Sequence, residues 1–185
     1  MKILVCVFHP NIAKSRVNQC WIQAISNDPQ ITVHEVYGSY PDKIFNLQAE
    51  QQRVETHDRI VFQHPLQWYS VPPLMKQWLD EVLAYGAGRT ALVGKEWLSA
   101  ISTGGTAKSY QLGGSNGYGI GEFLKPLQQT AVLTGMEFLS PFIFYGALQA
   151  STKDIQTSAK RFHHYIKDPN LNARIQRQQL LELMS

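Results

Sequence analysis

The run Ile60-Val-Phe-Gln-His-Pro-Leu-Gln-Trp-Tyr-Ser-Val-Pro-Pro-Leu-Met-Lys-Gln-Trp-Leu-Asp-Glu-Val82 decides how this chain folds. Ile60 to Phe62 is a short apolar run bounded by polar residues and a proline, the pattern of a buried strand. Further on, Leu74, Met75, Trp78, Leu79 and Val82 recur at helical spacing, and Pro73 suits a first helical turn, so a helix is predicted from Pro73 to Tyr85. His64 to Pro72, between them, is too apolar and aromatic for an ordinary solvated loop. Pro65 and Pro72 each hold the residue before them extended, which stiffens the loop. Trp68 and Tyr69 on such a loop either plug the top of the core or meet something flat.

Working outward, Ile3 to Phe8 reads as a first strand, continuous and apolar as in the middle of a parallel sheet. Ser15 is placed to cap a helix from Arg16 to Ser26, and Ile31 to Val36 is a second strand. Tyr37 to Asp42 is turn-rich, and a polar helix follows from Leu47 to Thr56. The third strand is Arg59 to Gln63. Gly86-Ala-Gly88 breaks the next helix, and a fourth strand runs from Trp97 to Ser102. A glycine-rich segment from Thr103 to Gly121 leads into a helix from Glu122 to Thr134 that accommodates Pro126. Met136 to Tyr145 is a fifth strand interrupted near Ser140-Pro141, and Ser151 caps a helix to Ile166. Residues 1–185 read as one domain, with a helical tail over 170–185.

Five alternations of strand and helix define a doubly wound α/β parallel sheet with helices on both faces. Such a sheet binds ligands at the carboxyl edge of its strands. The three unusual loops, His9 to Ser15, His64 to Pro72 and Thr103 onward, all follow strands, so they gather at that edge.

Composition removes several function classes. The chain has 185 residues, 44% hydrophobic and 17% charged, which is globular rather than disordered. A formal charge of +3, without a dense basic run, gives no footprint for nucleic acid. The apolar run Ile3 to Phe8 is too short for a signal peptide, and no stretch nears the roughly twenty apolar residues of a membrane helix, so a cytoplasmic protein is expected. Cys6 and Cys20 read as reduced thiols, and no metal-ligand spacing is present.

At the start of the first helix, Ser15, Arg16 and Asn18 provide free N–H groups, a helix dipole and a hydroxyl, which together suit a phosphate. There is no Walker sequence. Glycines at 117, 119 and 121 lack the further glycine that a dinucleotide fingerprint requires. Thr103-Gly104-Gly105 after a strand lets the backbone lie against a ring and aim amides at its carbonyls. An aromatic loop, a phosphate site and a glycine turn together demand a planar, phosphorylated ligand, and a flavin mononucleotide moiety meets all three.

The segment Gln63 to Asp80 resembles the signature of the flavodoxin-like NAD(P)H:quinone oxidoreductase family. His9-Pro10, Ser15 to Asn18, Ser102-Thr-Gly-Gly105 and Gly135 to Phe142 fit the same family in the same order, covering roughly residues 2 to 146. The chain is most similar to a short bacterial branch that includes ancillary subunits of glutathione-gated potassium efflux systems. The resemblance implies strand order 2-1-3-4-5. It implies that His9, Ser15, Arg16, Val17 and Asn18 hold the flavin phosphate and ribityl chain. Leu66, Gln67, Trp68 and Tyr69 would line one edge of the isoalloxazine, and Ser102, Thr103, Gly104 and Gly105 its pyrimidine side. Tyr110 matches a tyrosine facing the substrate. Asn116 stands nearest to a histidine of larger members, which weakens proton donation there. Tyr85 to Thr90 is shorter than the aromatic loop of relatives, so a more open pocket is expected.

The implied activity is hydride transfer from NAD(P)H through the flavin to a quinone or other small aromatic acceptor. The chain's length favours FMN over FAD. A homodimer is expected, for which the Trp78 helix could offer an apolar face if Trp78 is not core. His64 reads as a structural loop residue rather than a base. The alternative is a regulatory flavoprotein bound to a membrane potassium-efflux transporter, and hence peripheral to the inner membrane. An electron-transfer flavodoxin fits poorly, since such proteins tend to be acidic and this chain is not.

Overall fold

The computed structural model describes residues 1–83 and 91–184. Strand β1 is Ile3–Val7, β2 Ile31–Glu35, β3 Arg59–Pro65, β4 Glu96–Ser102, β5 Glu137–Phe138 and β6 Phe142–Phe144. The helices are α1 Arg16–Ile25, α2 Val36–Ser39, α3 Leu47–Glu55, α4 Pro73–Val82, α5 Ile120–Phe123, α6 Lys125–Thr134, α7 Thr152–Tyr165 and α8 Ala173–Leu183. The sheet is parallel in order β2-β1-β3-β4-β5, with β6 also pairing β4. β5 and β6 are two pieces of one interrupted edge strand: Trp97 pairs with Phe138, and Ala100 with Phe142. The expected order and fold class hold.

Period-two alternation explains the layers. Leu4, Cys6 and Phe8 face α3, α4 and α6, whereas Ile3, Val5 and Val7 face α1 and α7. Each layer is organised by buried indoles that find polar partners. Trp21 stacks on Phe162 at 4.9 Å and donates to Ser158 Oγ at 2.7 Å. Trp78 donates to Glu50 Oε2 at 2.7 Å, and Trp97 stacks on Phe62 at 4.0 Å. Replacing any of these rings by alanine costs roughly 3–5 kcal/mol. Trp78 is fully buried, so it is core and offers no dimer face.

Burial pushes the Glu50 carboxyl upward, but hydrogen bonds donated by His34, Trp78 and Tyr40 outweigh it and hold the group below its ordinary value. That cluster pins α3 to β2 and α4.

Local departures from expectation have local causes. The segment read as one helix from Glu122 to Thr134 is two, broken at Leu124. Pro126 has no N–H to give and its ring opposes the carbonyl of Glu122, so it is tolerated only in the first turn of a new helix. β3 runs two residues beyond Gln63, because His64 and Pro65 pair with Ile101 and Ser102. The turn-rich Tyr37 to Asp42 begins inside the one-turn α2. The tail helix α8 is exposed over residues 175–184, with Leu180, Leu181 and Leu183 in solvent. The predicted end of the Pro73 helix at Tyr85, the Gly86-Ala-Gly88 break and the Tyr85 to Thr90 loop lie outside the described residues.

Candidate functional site

The loops after β1, β3 and β4 meet at the carboxyl edge, and Asn18 ties them together. Ser15 caps α1: its Oγ accepts from Asn18 N at 3.2 Å. Asn18 Nδ2 donates to Ser15 Oγ at 3.0 Å and to Ser102 Oγ, at the end of β4, at 2.9 Å. Gln63 Nε2, on β3, donates to the Asn18 backbone oxygen at 3.0 Å and to Oδ1 at 3.3 Å. Asn18, Gln63 and Ser102 are all buried, so the tie lies beneath the surface.

Above it opens a cavity of about 290 Å³. His9, Ser15, Arg16, Val17, Leu66, Ser102, Thr103 and Gly104 line it, together with Lys14, Pro65, Ala147 and Leu148. With Ser15 engaging Asn18 N, the N–H groups of Arg16 and Val17 have no intrahelical acceptor. Among the described residues, none of those lining it is acidic. His9 Nδ1 accepts from Asn11 N at 3.1 Å, which leaves the proton of the neutral ring on Nε2. Burial lowers the His9 pKa, favouring that neutral form. Helix dipole, amides, hydroxyls and two cationic side chains give this cradle the chemistry that suits an anion. Arg16 Nη2 also reaches Thr152 Oγ1 at 3.5 Å, at the start of α7.

A fourth loop closes the far wall. Thr103 N donates to Phe144 O at 2.9 Å, Ala147 N to Thr103 O at 2.8 Å and Gly146 N to Gly105 O at 2.8 Å. These bonds fix Gly104 and Gly105 side by side with Leu148. A Cβ on Gly104 would stand 3.2 Å from Leu148 Cδ1, and one on Gly105 3.1 Å from the Tyr110 ring. Glycine is what permits that approach.

Beside the cavity lies an aromatic platform. Gln67 and Ser70 exchange backbone hydrogen bonds at 3.0 and 2.9 Å, and the two residues between them, Trp68 and Tyr69, have φ of 48° and 62°. Left-handed backbone at two successive non-glycine residues costs roughly 1–2 kcal/mol each. Tyr69 stacks on Phe123 at 5.1 Å and donates to Asn116 Oδ1 at 3.3 Å. Tyr110 meets Phe123 edge-on at 6.1 Å and Tyr145 at 5.9 Å. Burial and the neighbouring Tyr69 push the Tyr110 hydroxyl upward in pKa, so it keeps its proton at neutral pH. Trp68 is 94% exposed and plugs no core.

The sequence-derived residues therefore fall into two adjoining groups. Eight line the cradle, and Asn18 lies beneath it. Gln67, Trp68, Tyr69, Tyr110 and Asn116 form the platform, joined to the cradle through Leu66 and the Gly105–Tyr110 contact. His64 does not line the cradle. Lys14, Ala147 and Leu148 escaped sequence reasoning. Gly146 after the last strand was the available signal, since that loop emerges at the same sheet edge.

The profile of the flavodoxin-like fold family matches residues 1–166, and the chain belongs to that family. General stress protein 14 of Bacillus subtilis is 49% identical over 173 residues, 91% of this chain and 99% of that protein. The uncharacterized NAD(P)H oxidoreductase YdeQ of the same organism is 46% identical over 98% of this chain and 94% of its own length. The ancillary protein KefG of the glutathione-regulated potassium-efflux system of Yersinia pestis is 37% identical over 91% and 94%. Among solved structures, general stress protein 14 of Treponema denticola in complex with FMN superposes with a TM-score of 0.84 at 37% identity, covering 90% of this chain and 98% of that one. An NADPH-quinone reductase of P. pentosaceus gives 0.82 at 31% identity, covering 91% and 99%.

Proposed function

We propose that this protein is a flavin-dependent NAD(P)H:quinone oxidoreductase that holds FMN in the cradle. The observation that carries the reading is the Asn18 tie, which sets a helix start suited to an anion and a glycine turn around one cavity, with the aromatic loop beside it. The donor set fits the cofactor. The Arg16 and Val17 amides, the Ser15 hydroxyl and the His9 Nε2–H suit a phosphate and a polyol chain. The Gly104 and Gly105 backbone suits the polar edge of a flat ring. Relatives named as NAD(P)H oxidoreductase and quinone reductase, and one solved with FMN, support the same reading.

FMN held by the Ser15–Val17 helix start and the Gly104–Gly105 turn would supply two-electron redox chemistry between NAD(P)H and a quinone. The protein binds, orients and shields. Backbone amides at Gly104 and Gly105 favour negative charge on the ring edge beside them. Trp68 and Tyr69 present flat faces at the rim, where a nicotinamide or quinone stacks. Tyr110, protonated at neutral pH, holds a hydroxyl donor for a substrate oxygen, and Asn116 orients Tyr69 rather than supplying a proton.

NAD(P)H oxidation with menadione or benzoquinone by yellow, FMN-containing protein is the test. Colourless protein that takes up no flavin would end the proposal. The KefG relationship favours a second reading, a regulatory flavoprotein on a potassium-efflux transporter. Flavin binding without turnover, together with co-purification of an antiporter, would select it. Assembly as a homodimer belongs to either reading. Among the described residues no helix is long and apolar enough to cross a membrane.

A further inference from the structure

A chamber of about 220 Å³ lies under the β3–α4 loop, between α4 and α6. Leu66, which lines the cradle, also belongs to its wall, and so do Tyr69 and Phe123, the stacked pair of the aromatic platform. The chamber therefore adjoins both the place proposed for the flavin and the place proposed for its acceptor. Val71, Leu79 and Leu127 add further apolar wall. The polar side chains around it are already engaged. Thr130 Oγ1 donates to Pro126 O, one turn back on α6, at 2.8 Å. Lys76 and Asp80 pair with each other. His64 has one ring nitrogen 3.0 Å from Pro65 O and the other sealed from solvent. Ser70 is exposed to solvent on the loop.

We propose that this chamber receives the aliphatic side chain of a quinone whose ring stacks on the platform, so that the acceptor class is a prenylated quinone rather than a bare one. That assignment rests on the oxidoreductase reading above and extends it to the acceptor. A wall whose polar groups are already paired rewards hydrocarbon and penalises a polar substituent, which would lose water and gain no partner. The Lys76–Asp80 pair carries no net charge, so it draws in neither a phosphate nor a carboxylate. The volume is below the roughly 300–1,000 Å³ of drug-sized pockets, which suits a short branched chain and not a second ring system. Left-handed backbone at Trp68 and Tyr69 turns the Tyr69 ring onto Phe123, as a partition between chamber and rim, while Trp68 stays in solvent. Strain of that kind persists where a site uses the geometry. Each methylene taken out of water is worth about fourfold in affinity, so burying half of a five-carbon prenyl group gives about tenfold or more.

The test compares 2,3-dimethyl-1,4-naphthoquinone with 2-methyl-3-prenyl-1,4-naphthoquinone on the full, flavin-loaded chain. Calorimetry without NAD(P)H gives the affinities, steady-state NAD(P)H oxidation gives KM and kcat, and the methyl resonances of Leu79 and Leu127 locate the tail. The prenyl compound is expected to bind about tenfold tighter or more, to lower KM with kcat little changed, and alone to shift both methyls. Thr130→Trp, on the α6 wall and outside the cradle, should erase the difference while leaving binding and turnover of the dimethyl compound unchanged, which also shows that the variant is folded. Thr130→Val keeps the shape of the wall and should keep the difference. Equal affinities for the two quinones, as when a second copy's side chain fills the chamber, would overturn the proposal. So would methyls that ignore the tail, or a prenyl preference that survives Thr130→Trp. Tail-dependent binding at Leu79 and Leu127 without any turnover would end the oxidoreductase reading and leave the ligand class of the chamber standing.

Discussion

Replacing Asn18 separates the two jobs assigned to it, holding the loops and leaving the helix start free for an anion. In Asn18→Ala the side chain's bonds to Ser15 Oγ, Ser102 Oγ and Gln63 Nε2 disappear. At roughly 1 kcal/mol net for each, the loss is about 3 kcal/mol, because the Ser102 hydroxyl is left buried and Gln63 keeps only the Asn18 backbone oxygen. Asn18→Asp loses stability for a different reason. The carboxylate still accepts from Gln63, and both serine hydroxyls can rotate to donate to it. It also sits in the first turn of α1, where negative charge gains roughly 0.3–1 kcal/mol. Desolvating a carboxylate in that buried position offsets the gain, so its stability should also fall, by roughly the amount expected for Asn18→Ala. Flavin binding separates the two variants. A new negative charge within about one helical turn, roughly 5–6 Å, of an anion held at the α1 start costs, at an effective dielectric constant between about 20 and 80, about 1–3 kcal/mol per unit of anion charge. FMN affinity should therefore drop about tenfold or more in Asn18→Asp. Urea unfolding and FMN titration of both variants provide the measurements. Parental flavin affinity in Asn18→Asp would refute a phosphate at the α1 start, and an unchanged urea midpoint in Asn18→Ala would refute the tie.

Acid should destabilise the protein through His64. Its folded pKa, about 4, lies below the unfolded value of 6.5, so the unfolded chain binds more protons and stability falls as pH drops through that window. Between pH 7 and 5 the loss is about 2 kcal/mol, and in denaturant titrations His64→Phe should flatten it. Gly114→Ala places a Cβ inside contact distance of Lys108 O and 2.7 and 3.0 Å from the Ser109 and Gln111 carbonyls, backbone that cannot swing aside. About 1–3 kcal/mol of stability should be lost, with a lower Tm and a lower kcat/KM. Trp68→Gly relieves left-handed strain at an exposed position, so Tm should hold or rise while KM for the quinone worsens; equal KM would show that the ring serves no ligand. Tyr110→Phe should retain the flavin spectrum and lower kcat roughly fivefold, the value of one hydrogen bond, when assayed with menadione.

The fold was legible because its signals are periodic and local. Apolar runs at Ile3, Ile60 and Trp97 could only be interior parallel strands, and Ser15 and Ser151 announced their helices as caps. Clustering of His9, Ser15, Leu66, Ser102 and Gly104 followed from topology, since loops after parallel strands share an edge. The turn at Trp68 and Tyr69 was not legible. Left-handed pairs normally advertise themselves with glycine or asparagine, and here bulky rings are held there by the Gln67–Ser70 bridge and Phe123. The break at Leu124 was missed by counting Pro126 as an early residue of one helix rather than the opening of a second. Leu148 was missed because its loop carries no polar signature, only a place at the same edge.

What makes the cradle a site rather than a gap between loops is the kind of contact that holds it. Apolar packing fixes the sheet and the faces of α1 and α7, but the loops beyond the strand ends touch that core only at scattered residues such as Ile12, Leu66, Val71 and Ala147. A buried trio of polar side chains supplies the position instead. Asn18 donates to Ser102 and receives from Gln63, so the start of α1 is set against the ends of β3 and β4 within hydrogen-bond tolerance. Gln63 Oε1 stays buried without a partner, a cost an apolar trio of equal volume would avoid. Stability alone therefore does not account for these three residues. Directional bonds at the junction of three loops hold an anion cradle in its working shape before any ligand arrives, which lowers the ordering cost that binding must meet.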